Sequence, residues 1–171
     1  MTTHHPTEQL LPAEQLSIEA EAGKRWVQVG FLAIAILFNL CLVAQLLTVG
    51  LAVFSDASWW QIHVWLVRGY GGLAVLLFGG TLITPFPKLI TPFPKRIQAL
   101  TNAIVILLLL QFVTAHVQQP LPLGVLHPLT GFTLFTTSTT LIHRAMKFVR
   151  GHSDSAENLD IQNPDVQKLN A

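Results

Sequence analysis

The sequence predicts an all-α integral membrane protein: a four-helix, up-down bundle with both termini on the cytoplasmic side. Three observations predict it. First, Val27 to Phe54, Trp59 to Thr84, Ile97 to His116 and about Leu123 to Ile142 form long apolar stretches. Each reaches the roughly 20 residues a helix needs to cross a bilayer. Second, only 11% of the 171 residues are charged and 51% are hydrophobic, with a mean hydropathy of +0.51. A soluble domain carries about 25% charged residues. Third, of the ten Lys and Arg residues only Arg68 lies inside an apolar stretch; the others sit beside one set of ends or in the C-terminal tail. Lys24 and Arg25 precede the first stretch, Lys88, Lys95 and Arg96 separate the second and third, and Arg144, Lys147 and Arg150 follow the fourth. The other two connections, Ser55 to Ser58 and Val117 to Pro122, have no Lys or Arg. The positive-inside rule then orients the bundle.

Taken in order, residues 1–25 read as a polar N-terminal tail, 26–149 as the transmembrane domain and 150–171 as a flexible C-terminal tail. Pro12 suits the first turn of a short helix through Leu16 and Ala20 on the cytoplasmic surface. The first span carries two amides, Asn39 and Gln45, which must face other helices because hydrocarbon offers no hydrogen-bond partner. Trp59, Trp60 and Trp65 gather at the outer end of the second span, and Trp26 marks the inner face. The second connection repeats itself: Leu82 to Lys88 and Leu89 to Lys95 both read LITPFPK. Its four prolines forbid a continuous helix, and a tandem duplication in a loop accounts for it. Thr130, Thr133, Thr136, Thr137, Ser138, Thr139 and Thr140 crowd the fourth span, where hydroxyls are expected to bond back to preceding carbonyls. Cys41 is the sole cysteine, so no disulfide forms within the chain.

Histidine is where chemistry could reside. His4, His5 and His152 lie in the tails, whereas His63, His116, His127 and His143 lie in or at the ends of spans. The second and fourth helices both run inward. His63 and His127 each stand about four residues into their span, so both imidazoles sit roughly 6 Å below the outer boundary. Two histidines at one level on parallel helices fit a bis-histidine b-type haem, one axial ligand from each side. Gly131, one turn beyond His127, leaves room for a flat ring. Val67, Tyr70 and Ala74 form a wall beneath His63. Arg68, about 140° round the helix from His63, is expected either to reach a haem propionate or to bond Gln45 or Gln111. The competing expectation gives His63, His127 and Arg68 only interhelical hydrogen bonds, in a cofactor-free accessory or assembly subunit of a larger membrane complex.

Several classes find no support. The spans contain no Asp or Glu, which removes the carboxylate relays of ion-coupled pumps. There is no nucleophile–base pair, no Gly-rich phosphate loop and no basic cluster beyond what orientation explains, so nucleic-acid binding is not expected. The chain is expected not to be an enzyme by itself.

Gln45, Gly50, Phe54, His63, LLLLQ at Leu107 to Gln111, LHPLTGF at Leu126 to Phe132 and HRA at His143 to Ala145 resemble a bacterial family of small, uncharacterised four-helix membrane proteins with an LHPxxG motif. The placing of histidines on the second and fourth helices also resembles one half of haem A synthase. That resemblance implies His63 and His127 as axial ligands, without the synthase activity, because the second half is missing. Only His143 lies near the inner face, so a second haem is not expected. The composite expectation is a multi-pass protein of a bacterial plasma or internal membrane, holding one haem b near its outer face through His63 and His127. It would exchange electrons with a quinol or an extracytoplasmic redox protein.

Overall fold

The computed structural model describes residues 10–82, 93–116 and 123–162. Within them the chain is all helical: α1 (Leu10–Phe54), α2 (Trp59–Leu82), α3 (Lys95–His116) and α4 (His127–Gln162), with a single 3-10 turn, Leu123–Leu126, leading into α4. Most of the LITPFPK repeat, His4, His5, the 117–122 connection and residues 163–171 lie outside the described residues.

Among the described residues three segments are long and apolar enough to cross a membrane: Ala22–Phe54, Trp59–Leu82 and Lys95–His116. The fourth helix, expected to qualify as well, is not among them. Seven hydroxyls between Thr130 and Thr140 dilute its hydropathy, although six are met within the helix. Thr130, Thr133, Thr136, Thr137, Thr139 and Thr140 each place Oγ1 within 3.2 Å of a carbonyl three or four residues back. The back-bonding expected of them is therefore what these threonines do.

Two helices outrun their expected limits. The segment read as an N-terminal tail contains the start of α1, which is continuous from Leu10. Pro12 falls in the first turn, where its missing N–H costs nothing, and no further proline follows before Pro85. Likewise α4 continues past residue 150 to Gln162, since no proline occurs between Pro128 and Pro164. The boundary drawn at residue 150 marked a change in polarity, not an end of helix.

The helices pack as a ring, α1 against α2 and α4, and α3 against α2 and α4. Core residues recur at alternating steps of three and four: Phe31, Ala35, Phe38 and Leu42 on α1, Tyr70, Ala74, Leu77 and Thr81 on α2, Ile97, Thr101, Ile104 and Leu108 on α3. This is the seam of helices crossing at a shallow angle. Ala35, Ala74 and Ala145 admit the bulk of Phe38, Leu77 and Leu141 beside them. Phe93 stacks on Phe31 at 4.6 Å and on Phe148 at 5.8 Å, closing one end of the ring. Across α1 and α4, the Asn39 amide donates to Thr139 Oγ1 at 3.1 Å. Outward-facing positions are apolar, with Leu46, Phe54, Trp65, Val75, Leu109 and Phe132 exposed, whereas Gln28, Gln45, Thr48, Thr101 and Thr114 are buried. The apolar exterior, over a core that is itself mostly apolar, sets the chain apart from a protein folded in water.

Candidate histidine site

The site is built at the end of the ring opposite the Phe31–Phe93–Phe148 cluster. α1 stops at Phe54, and the Ser55 and Asp56 amides close its last turn on the Leu51 carbonyl. The Asp56 carboxylate then accepts the Ser58 N–H at 2.6 Å, and its hydrogen bonds with Ser58 hold it below the usual carboxylate range. This turn starts α2 at Trp59 and sets His63 just over one helical turn in. The Trp60 ring meets the His63 imidazole edge-on at 5.4 Å.

His63 Nδ1 lies 3.3 Å from Thr48 Oγ1 on α1. Thr48 Oγ1 is also 2.8 Å from the Gln45 carbonyl and 3.5 Å from Gln45 Oε1. A hydroxyl has one proton. Because a carbonyl can only accept, that proton goes to Gln45, and Thr48 must accept from His63 Nδ1–H. The neutral ring therefore carries its proton on Nδ1 and its lone pair on Nε2.

His127 follows the same logic on the other pair of helices. Its Nδ1 is 3.2 Å from the Gln111 carbonyl and 3.4 Å from Thr114 Oγ1. Thr114 Oγ1 stands 2.9 Å from the Leu110 carbonyl and 3.1 Å from that of Gln111, so its own proton is committed. His127 Nδ1 must donate, and Nε2 again holds the lone pair. The sequence placed His127 about four residues inside its span. It is instead the first residue of α4, carried there by the 3-10 turn. The Thr48 that holds His63 lies six residues before the end of α1, and the Gln111 that holds His127 lies five before the end of α3.

The remaining expected residues separate from this pair. Gly131 does not face open space: a Cβ there would lie 2.9 Å from Gln111 Nε2. The room read as a berth for a flat ring is taken by the Gln111 amide, which receives the Thr130 hydroxyl on Oε1. Tyr70 is in the core, 4% exposed, edge-on to Phe38 at 5.5 Å and hydrogen-bonded to the Gln45 side chain. It is linked to His63 only through Gln45 and Thr48. Arg68 is exposed and bonds neither expected amide; Gln45 is engaged by Thr48 and Tyr70, and Gln111 by Thr130. The Arg68 guanidinium sits 5.4 Å over the Trp65 ring instead. His116 turns back to the Phe112 carbonyl at 2.8 Å, and His143 is exposed. Sequence reasoning missed Thr48, Thr114 and the Gln111 carbonyl as partners of the two rings. The spacings Thr48 to Gln45 and Thr114 to Gln111, i to i−3 in both helices, were the available signal.

Among the described residues, no three His, Cys, Asp or Glu side chains gather as a metal-binding group. The pair thus offers two imidazole nitrogens and no third protein donor of that kind.

Residues 45–117 match a family of unknown function, DUF6220. The expected resemblance to an uncharacterised family is met in that form. The match takes in His63, Arg68, Tyr70 and Gln111 and stops short of His127 and Gly131, covering less than half of the chain. No curated protein and no solved structure matches it.

Proposed function

We propose that this chain is an up-down, four-helix protein of a bacterial plasma or internal membrane, with both termini cytoplasmic, that binds one haem b through His63 and His127. The orientation rests on the distribution of Lys and Arg. The cofactor assignment rests on one observation: both imidazoles donate from Nδ1 to an oxygen of the neighbouring helix, which leaves both Nε2 lone pairs available. A metal-bound histidine typically has this second-shell arrangement, with its other ring N–H held by a carbonyl or similar acceptor.

The donor set fits this group better than a bare ion. Structural zinc sites take about four protein donors, and catalytic ones about three. Haem iron receives four nitrogens from its own macrocycle and asks the protein only for axial ligands. A haem with two imidazole ligands supplies a one-electron couple. The protein's part is to fix both rings through Thr48, Gln111 and Thr114. Electron exchange with a quinol or an extracytoplasmic redox protein is the role this fits.

The test is a reduced-minus-oxidised spectrum of the full chain purified from haem-replete cells. A Soret band that sharpens and shifts on dithionite reduction is expected. It is lost in His63→Ala and His127→Ala and kept in His116→Ala and His143→Ala. His127→Asn is the sharper variant: its amide N–H can still donate to Gln111, while nothing replaces Nε2. It therefore loses the band but keeps the fold. Nitrogen-15 NMR of the haem-free protein reads the same prediction without cofactor, both rings being Nδ1–H tautomers. A colourless, folded wild type sinks the assignment.

One observation favours a second reading. The Gln111 amide fills the space at Gly131, and both histidines satisfy hydrogen bonds within the bundle. This is what a cofactor-free accessory or assembly subunit of a larger membrane complex would show.

A further inference from the structure

Arg68 is the tenth of the 24 residues of α2, about 14 Å along the helix from Trp59. If α2 crosses a bilayer, this puts a permanent cation near mid-depth. Arginines at such depth almost always face the bundle interior or a water-filled cavity. Arg68 does neither: it is exposed, on the face of α2 turned away from His63, and its guanidinium rests over the equally outward Trp65 ring, 5.4 Å from the centroid. The indole face attracts the cation but accepts no guanidinium hydrogen bonds of ordinary strength. Among the described residues those donors have no other partner, and they call for an anion from outside the bundle.

The surface around it shows what kind of body brings that anion. Gly69 and Gly72 are exposed beside Arg68, and no atom lies within 4 Å of a Cβ built on either. Bare backbone of this kind lets another helix approach closely. A lipid phosphate is a poor counterpart, because an arginine side chain covers only about half the distance back to Trp59. A second copy is no better, because the four apolar stretches contain no Asp or Glu. We infer that Arg68, Gly69 and Gly72 form a docking face for a transmembrane helix of a different protein, one carrying a carboxylate at the depth of Arg68. The inference rests on the membrane half of the proposed function and is independent of haem.

The experiment uses the full chain, donor-labelled at its N-terminus and reconstituted in uncharged vesicles. Flotation with the vesicles confirms insertion separately from docking. The probe is an acceptor-labelled Leu/Ala peptide of about 24 residues with one central Glu, compared with Gln and Leu versions. The Glu peptide is expected to associate about tenfold more tightly than the Leu peptide, the size of a good polar contact between membrane helices. Arg68→Gln removes that preference. Gly72→Leu weakens association with every peptide; because its side chain enters open space, the fold itself is untouched. Equal affinity for the Glu and Leu peptides, or a Glu preference that survives Arg68→Gln, overturns the inference. So does loss of the preference on adding phosphatidylglycerol, which would make lipid phosphate the occupant. Failure to float with vesicles would overturn the membrane reading as well.

Discussion

Gly131 illustrates how far a single residue can be read. Its missing side chain signals close approach, and the sequence supports that much. It does not say what approaches, because Gln111 comes from another helix, twenty residues earlier in the chain. Gly131→Ala gains about 0.5–1 kcal/mol of helix propensity. It also pushes aside the Gln111 amide, whose Oε1 loses the Thr130 hydroxyl, at about 1–3 kcal/mol for a part-buried acceptor left unpaired. Thr130 itself keeps the His127 carbonyl. A net loss of about 1 kcal/mol is expected in detergent unfolding, and Gln111→Leu in the same chain should remove most of it. Ser138 gives the opposite sign. Its side chain is fully buried, and among the described residues Oγ has no hydrogen-bond partner. Ser138→Ala should therefore raise stability, by about 1 kcal/mol, in the same assay. The two histidines were legible as candidates on the second and fourth helices. The protonated nitrogen of each was not, because it follows from carbonyls and hydroxyls on α1 and α3 that only the packed structure brings near.

At the scale of elements, α4 carries the main difference between reading and structure. Hydropathy counts each threonine as polar, whereas a threonine bonded to its own helix exposes little polarity to its surroundings. Four helices were legible from their lengths, but which of them is apolar enough to span by composition was overestimated by one. Thr133, Thr136 and Thr140 make the point testable, since all three bond within α4 and all three are exposed. Replacing them with the isosteric Val leaves the interhelical Asn39–Thr139 bond in place. In an insertion assay of α4 as an isolated test segment, the triple variant should enter the bilayer more completely, by about 1 kcal/mol or more. No change would mean that back-bonding already hides the hydroxyls in full. The extents of α1 and α4 were misjudged for a different reason. Polarity changes near residues 25 and 150, but a helix ends at proline or at a cap, and neither occurs there.

For the whole molecule, the apolar exterior and the segregated charges are independent signs of one environment. An apolar exterior with buried amides and hydroxyls is stable only where lipid replaces water outside, and this follows from packing. The charge pattern follows from sequence alone and specifies direction. Lys24, Arg25, Lys95, Arg96, Arg144, Lys147 and Arg150 flank the apolar stretches on the side opposite Asp56 and the two histidines. If all four helices cross, a fluorescent protein fused after Ala171 should fold and fluoresce, while alkaline phosphatase at the same point stays inactive. Fused at Asp56, the two reporters should exchange behaviour. The outcome also bears on α4, whose crossing composition leaves open. If α4 lay along the surface, the C-terminus would remain outside after α3, and phosphatase at Ala171 would be active. The packing of α4 against both α1 and α3 opposes that, since a helix on the membrane surface could not close the ring. Neutralising Arg144, Lys147 and Arg150 together should then weaken the orientation of α4 most and produce a mixed reporter signal, because these three directly follow its apolar stretch.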